Sequence, residues 1–140
     1  MVVAGAGPEP ASGVELLGLQ PGMIAQELGW EDDVDEELRD EVMDLIDGDL
    51  IEEADEGVDV VLLWQRSDTD VADALVDSLR DLGDHGYIWL LTPRFGRRGY
   101  VDPADIVEAA KTSGLTLTSS AEVSRDWHAR KVVRPRSSRR

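Results

Sequence analysis

Three short groups of residues carry the side chains best suited to recognition chemistry. They are Trp30, Glu31 and Asp32 in "GWEDDV", Trp64, Gln65 and Arg66 in "LLWQRS", and Thr92, Arg94, Arg97 and Arg98 in "LLTPRFGRRGY". Tryptophan and arginine are enriched among the anchoring residues of interaction surfaces, which is one reading of these groups. The other is internal: arginine pairs with carboxylate to tie loops down, and Trp64, like Trp89, suits a core. Catalytic chemistry is harder to assemble. The chain has no cysteine, so it offers no thiolate nucleophile, no disulfide and no thiolate metal site, and its two histidines lie far apart. His85 in "GDHGY" reads as a turn residue, and His128 has no evident nucleophile beside it. "DLIDGDLIEE" has the composition of a calcium loop without its register. The run Glu31 to Glu37 could hold a divalent cation loosely, but a solvated helix start, which favours negative charge, accounts for the same acids. The expectation is no catalytic residue, no metal and no cofactor.

These groups meet only if each follows the carboxyl end of a parallel strand, and the periodicity supplies such strands. "MIAQEL" (23–28) follows a Pro-Gly turn and fits a buried strand; "VDVVLLWQ" (58–65) is a nearly continuous apolar run, as a strand covered on both faces should be. "YIWLLT" (87–92), entered through a turn at Gly83 to Gly86 and stopped by Pro93, is another. Between them lie helical patterns. Val34, Leu38, Val42, Leu45 and Ile46 form one stripe ending near Gly48, and Val71, Leu75, Leu79 and Leu82 form a second with Asp70 among its N-caps. Asp102 and Pro103 open a third helix, with Ile106, Val107 and Ala110 facing inward and Gly114 closing it. "LIEE" (50–53) reads as a short edge strand, and 115–124 with 129–135 as an antiparallel pair at a sheet edge. The resulting fold class is α/β, a three-layer Rossmann-like domain with a mostly parallel sheet and helices on both faces.

Size and charge bound what such a domain does. The 140 residues suit one core, expected over 14–135, with a disordered lead at 1–13 and a loose basic tail at 136–140. The formal charge of −16 is unevenly spread: residues 1–93 hold three basic side chains against 25 acidic ones, and residues 94–140 eleven against five. The balance is −22 followed by +6. A surface so acidic repels the phosphate backbone, so nucleic acid is not an expected partner. No apolar run reaches the ~20 residues a membrane span needs, so no membrane partner is expected either. A cytoplasmic setting follows from the missing cysteines, and the partner is expected to be a protein or a small molecule. Oligomeric state is beyond the sequence.

At this point the residues carry two resemblances. "LGLQPGMIAQELG", "VDVVLLW", "LRDLGDHGYIWLLTP" and "TSGLTLTSS" resemble, in order and spacing, a compressed S-adenosylmethionine-dependent methyltransferase fold. More closely, "LGLQPGMIAQELGWEDDVDEELR", "IWLLTPRFGRRGYVDPADIVEAA" and "SRDWHARKVVRPR" are similar to the actinobacterial domain of unknown function 3052. The methyltransferase resemblance implies a glycine-rich turn after the first strand and an acidic residue ending the second. Here Gly29 is that turn's only glycine, Trp30 stands where bare backbone is wanted, and Glu31, Asp32 and Asp33 oppose a cofactor carboxylate. Glu52, Glu53 or Asp55 could serve as a ribose acceptor. The preferred expectation is a binding or regulatory module without catalysis. The alternatives are a methyltransferase with an atypical cofactor loop and an acidic partner of a basic protein.

Overall fold

Residues 16–135 are described by a computed structural model, so the expected lead at 1–13 and tail at 136–140 lie outside the described residues. The elements are β1 (Ala25–Leu28), α1 (Glu36–Ile46), β2 (Val58–Trp64), α2 (Val71–Ser78), β3 (Leu82–Pro93), α3 (Pro103–Thr112), β4 (Thr116–Ala121) and β5 (Trp127–Val133). Each helix starts on an aspartate. Asp35 accepts from the Leu38 amide, Asp70 from that of Asp73 and Asp102 from that of Ala104, each satisfying a donor that has no partner within the helix. α1 ends one residue before Asp47, which takes a left-handed conformation with φ 55°. α2 is shorter than its apolar stripe implies: it stops at Ser78, and Leu82 already belongs to β3. On α3, Val107 points outward, and the buried positions are Ile106, Ala109 and Ala110.

The sheet order is β1-β2-β3-β5-β4. β1, β2 and β3 are parallel, while β5 runs antiparallel to both β3 and β4, so β5 alone is reversed in a mixed sheet. The C-terminal strands do pair antiparallel, with β5 inside the sheet and β4 at its edge. Two expectations change. The turn at Gly83 to Gly86 is a bulge inside the twelve-residue β3, because Val58 pairs with Leu82 and Val60 with Tyr87. The strand expected over 50–53 shrinks to Ile51, a one-residue parallel bridge to Gln26 on the side of β1 away from β2.

Alternate residues of β2 divide between two apolar clusters, as the period of two in a strand requires. Val60, Leu62 and Trp64 join Leu38, Val42 and Ile46 of α1; Val61 and Leu63 join Val71 and Leu75 of α2 and Ile106 and Ala109 of α3. Leu50 packs against the first cluster and Ile51 and Ala54 against the second, so the chain crosses around the outer edge of β1 at Ile51.

Candidate functional site

β1 is followed by Gly29, whose φ of +79° suits glycine and whose backbone passes so close to β2 that a β-carbon would overlap the Trp64 carbonyl oxygen. This close approach brings the first two predicted groups together, and Arg66 locks them. Arg66 is 7% exposed. Its guanidinium donates from Nε to Asp33 Oδ2 at 2.8 Å, from Nη2 to Asp33 Oδ1, and from Nη1 to the Gly29 carbonyl at 2.9 Å and the Trp64 carbonyl at 3.3 Å. Glu31 approaches Nη1 at 3.3 Å, and the Trp127 ring centroid lies 5.1 Å from the guanidinium carbon. Trp64 meets Trp127 edge to face. Of the acids after β1, Asp33 and Glu31 are thus neutralised from inside the fold. Trp30 is 48% exposed, its indole 3.4 Å from Glu36.

Hydrogen bonding to Arg66 holds the Asp33 carboxyl below the usual carboxylate range, burial opposing it, and hydrogen bonding to Asp33 raises the guanidinium in turn. The sign follows. Because the folded value is the lower one, the stabilisation is complete above the unfolded value of about 3.9 and is lost as pH falls through the folded value. The stability difference between the native protein and Asp33→Asn should therefore narrow in urea titrations as pH is lowered below about 5. Arg66→Met should cost about 2 kcal/mol, the range of charge-assisted hydrogen bonds. Amide exchange should accelerate at 29–33 while the central amides of β2 keep their protection.

The third group lies at the same carboxyl end but reaches elsewhere. Thr92 is buried. Arg94 donates to the Ser124 carbonyl from Nε at 3.1 Å and from Nη2 at 2.9 Å, and pairs with Glu122 at 2.6 Å; Arg97 pairs with Asp126 at 3.1 Å. These arginines hold the β4–β5 connection, not Trp30 or Asp32. Arg98 is exposed. Next to the second group, the Ser67 amide donates to the Gly99 carbonyl at 3.0 Å.

Sequence reasoning missed Glu27, Arg39 and Trp127. Glu27 is 6% exposed. It accepts from Arg39 at both carboxylate oxygens, 2.7 and 2.8 Å, and from the Trp64 indole at 2.9 Å, while Arg39 also reaches Glu36 at 2.7 Å. Those bonds raise Arg39 well above the ordinary arginine value. The available signal was a carboxylate inside an apolar strand, which a fold tolerates only when it is paired.

At β1 the chain reverses the direction in which it adds strands, since Ile51 lies on one side and β2 on the other. In open α/β sheets ligands sit outside the carboxyl ends at such a reversal. An open concavity of about 590 Å³ occupies this place, lined by Gly29, Glu52, Glu53, Gln65 and Arg66 among others. Eight of its lining residues are carboxylates, running from Glu31 to Asp73, Asp77 and Asp81, against two arginines, Arg66 and Arg80. Asp55 is not among them. No group of three or more histidine, aspartate or glutamate side chains is arranged to hold a metal ion among the described residues. Nor, among them, is any helix long and apolar enough to cross a membrane.

The five-stranded mixed sheet with three helices places the chain among methyltransferase-like folds. It is similar to a TehB-like S-adenosylmethionine-dependent methyltransferase from Corynebacterium glutamicum, with TM-score 0.55 and 14% identity over 86% of this chain and 85% of that one. The glycopeptide N-methyltransferase MtfA, solved with S-adenosylmethionine, also gives TM-score 0.55 and 14% identity, over 91% of this chain and 89% of its own. At such identities the likeness is one of fold. The chain belongs to the family described as protein of unknown function (DUF3052), whose pattern matches residues 14–136. Uncharacterised proteins of Mycobacterium tuberculosis and Mycobacterium bovis are each 43% identical to it over 123 residues, covering 86% of this chain and 77% of theirs.

Proposed function

We propose that this chain is a non-catalytic binding or regulatory module of the cytoplasm, a three-layer Rossmann-like domain with α1 over one face of the sheet and α2 and α3 over the other. Its binding surface is the carboxyl edge around Trp30, Glu31, Asp32, Trp64, Arg66, Thr92, Arg94, Arg97 and Arg98. The observation that carries this reading is Arg66. Its guanidinium takes up the Gly29 and Trp64 carbonyls and the Asp33 carboxylate, closing the crest between β1 and β2 with the protein's own charges. Trp30 and Asp32 then face outward beside this crest as a surface for a partner. Calorimetric titration of S-adenosylmethionine and S-adenosylhomocysteine tests the reading. No saturable heat is expected, and binding in the range of about 1 μM would overturn it.

A methyltransferase with an atypical cofactor loop is the competing reading, favoured by Gly29, Glu52 and Glu53 lining one concavity. The same titration decides between the two. The carboxylates of that concavity favour a third, an acidic surface for a basic protein. It predicts a specific capture from lysate at low ionic strength that is lost as added salt shortens the Debye length to about 3 Å; capture that survives unchanged would exclude it.

A further inference from the structure

At the carboxyl end of β3 a concavity of about 370 Å³ is lined by Thr92, Pro93, Arg94, Phe95, Tyr100, His128 and Arg130. On a chain with 30 acidic residues, it contains none among its lining residues. Arg130 is the centre of the argument. Half-buried on β5, it makes one hydrogen bond among the described residues, from Nη1 to Thr92 Oγ1 at 3.2 Å, and no ion pair. Of the other arginines withdrawn from full exposure, Arg39, Arg66 and Arg94 hold carboxylates, and Arg134 holds the Gly83 and Leu82 carbonyls with two bonds where Arg130 has one long one. A guanidinium withdrawn from water without an anion is an incomplete arrangement, since its planar donor fork matches carboxylate and phosphate oxygens. Beside it stands an apolar wall. Phe95 is 85% exposed, yet it meets Tyr100 edge to face with ring centroids 5.2 Å apart.

We infer that this concavity binds a small aromatic anion, its carboxylate or phosphate on Arg130 and its ring against Phe95 and Tyr100. This deepens the carboxyl-edge reading, on which it rests, by giving Thr92 and Arg94 a ligand class. Thr92 positions Arg130, and Arg94, already held by Glu122 and Ser124, adds positive potential. His128 reports on occupancy. Burial, then the charges of Arg130 and Arg94, push its imidazole below the ordinary value, with Glu122 opposing and Tyr100 the remaining titratable neighbour. An anion on Arg130 relieves that repulsion, so the imidazole titration must move up when the site fills.

The experiment follows the His128 ring protons by NMR, with His85→Asn resolving the two histidines, while phenyl phosphate, benzoate or inorganic phosphate is added. Either aromatic probe should shift the resonance saturably below about 10 mM. Inorganic phosphate should bind at least about tenfold more weakly, lacking the ring contact. Arg130→Gln should abolish the shift. Phe95→Ala, at an exposed position where folding is not at stake, should weaken the aromatic probes and leave inorganic phosphate unchanged. No saturation by either aromatic probe, an undiminished shift in Arg130→Gln, or equal binding of inorganic phosphate would overturn the inference. Those outcomes leave the edge reading to its own tests, because S-adenosylmethionine titration and partner capture concern the other end of the same edge.

Discussion

Glu27→Ala should lower stability by about 3 kcal/mol, the lower part of the range for breaking a buried ion pair, since Arg39 retains some access to water. In a domain of this size that corresponds to a fall of roughly 10 °C in the melting temperature. The reason lies in what the carboxylate leaves behind. Arg39 loses both of its bonds to Glu27, and the buried Trp64 indole loses its acceptor. A group desolvated by folding and left unpaired costs more than the bond it once made was worth. Glu27→Gln, which keeps the volume and one acceptor, should cost less. Combining Glu27→Ala with Arg39→Met should recover part of the loss, because the stranded charge goes too. Thermal and urea denaturation of the two single variants and the double variant check this, and strictly additive losses would show that the two residues are not coupled.

Gly29→Ala should be nearly as damaging, for a reason of shape. A left-handed conformation costs a side chain about 1–3 kcal/mol by itself. Gly22, with φ +91° and open space where a β-carbon would stand, isolates that part. Gly29 adds the overlap with the Trp64 carbonyl, which can be relieved only by parting β1 from β2 or lifting the turn from Arg66. Gly29→Ala should therefore exceed Gly22→Ala by at least about 1 kcal/mol in urea denaturation. Equal losses would mean that the close approach contributes nothing.

Much of the fold was legible because periodicity and caps are local signals. The apolar run at 58–65 and the Asp-Pro start at 102–103 became β2 and α3 nearly residue for residue. What failed were boundaries set by tertiary pairing. Leu82 continues the stripe of α2 by spacing, yet Val58 claims it for the sheet, and Gly83 to Gly86 carries turn composition inside a strand whose two ends both pair with β2. The site was legible as a set of residue types and illegible as a set of partners. Arg66 was marked as a candidate, but its chief partner Asp33 is 33 positions away and Trp127 more distant still, and nothing in spacing joins them. Nothing in spacing names Glu122 or Asp126 as partners of Arg94 and Arg97, because the loop these arginines hold follows β4, whose path depends on the whole sheet.

The bridge at Ile51 bears on how copies of the chain treat one another. An edge strand offers rows of unpaired backbone groups that recruit strands from other molecules. On β1 that offer is withdrawn: the Glu27 amide donates to the Ile51 carbonyl at 2.7 Å, and the Ile51 amide donates to the Ala25 carbonyl at 3.0 Å. One residue spends itself as a guard on a four-residue strand. The opposite border, β4, is guarded by irregular register instead, its pairing slipping between Leu117 and Ser119 along a stretch rich in hydroxyls. The two borders thus resist fibrillar growth by different means, and Ile51→Pro, which deletes the donating amide, would disarm the tighter of them first.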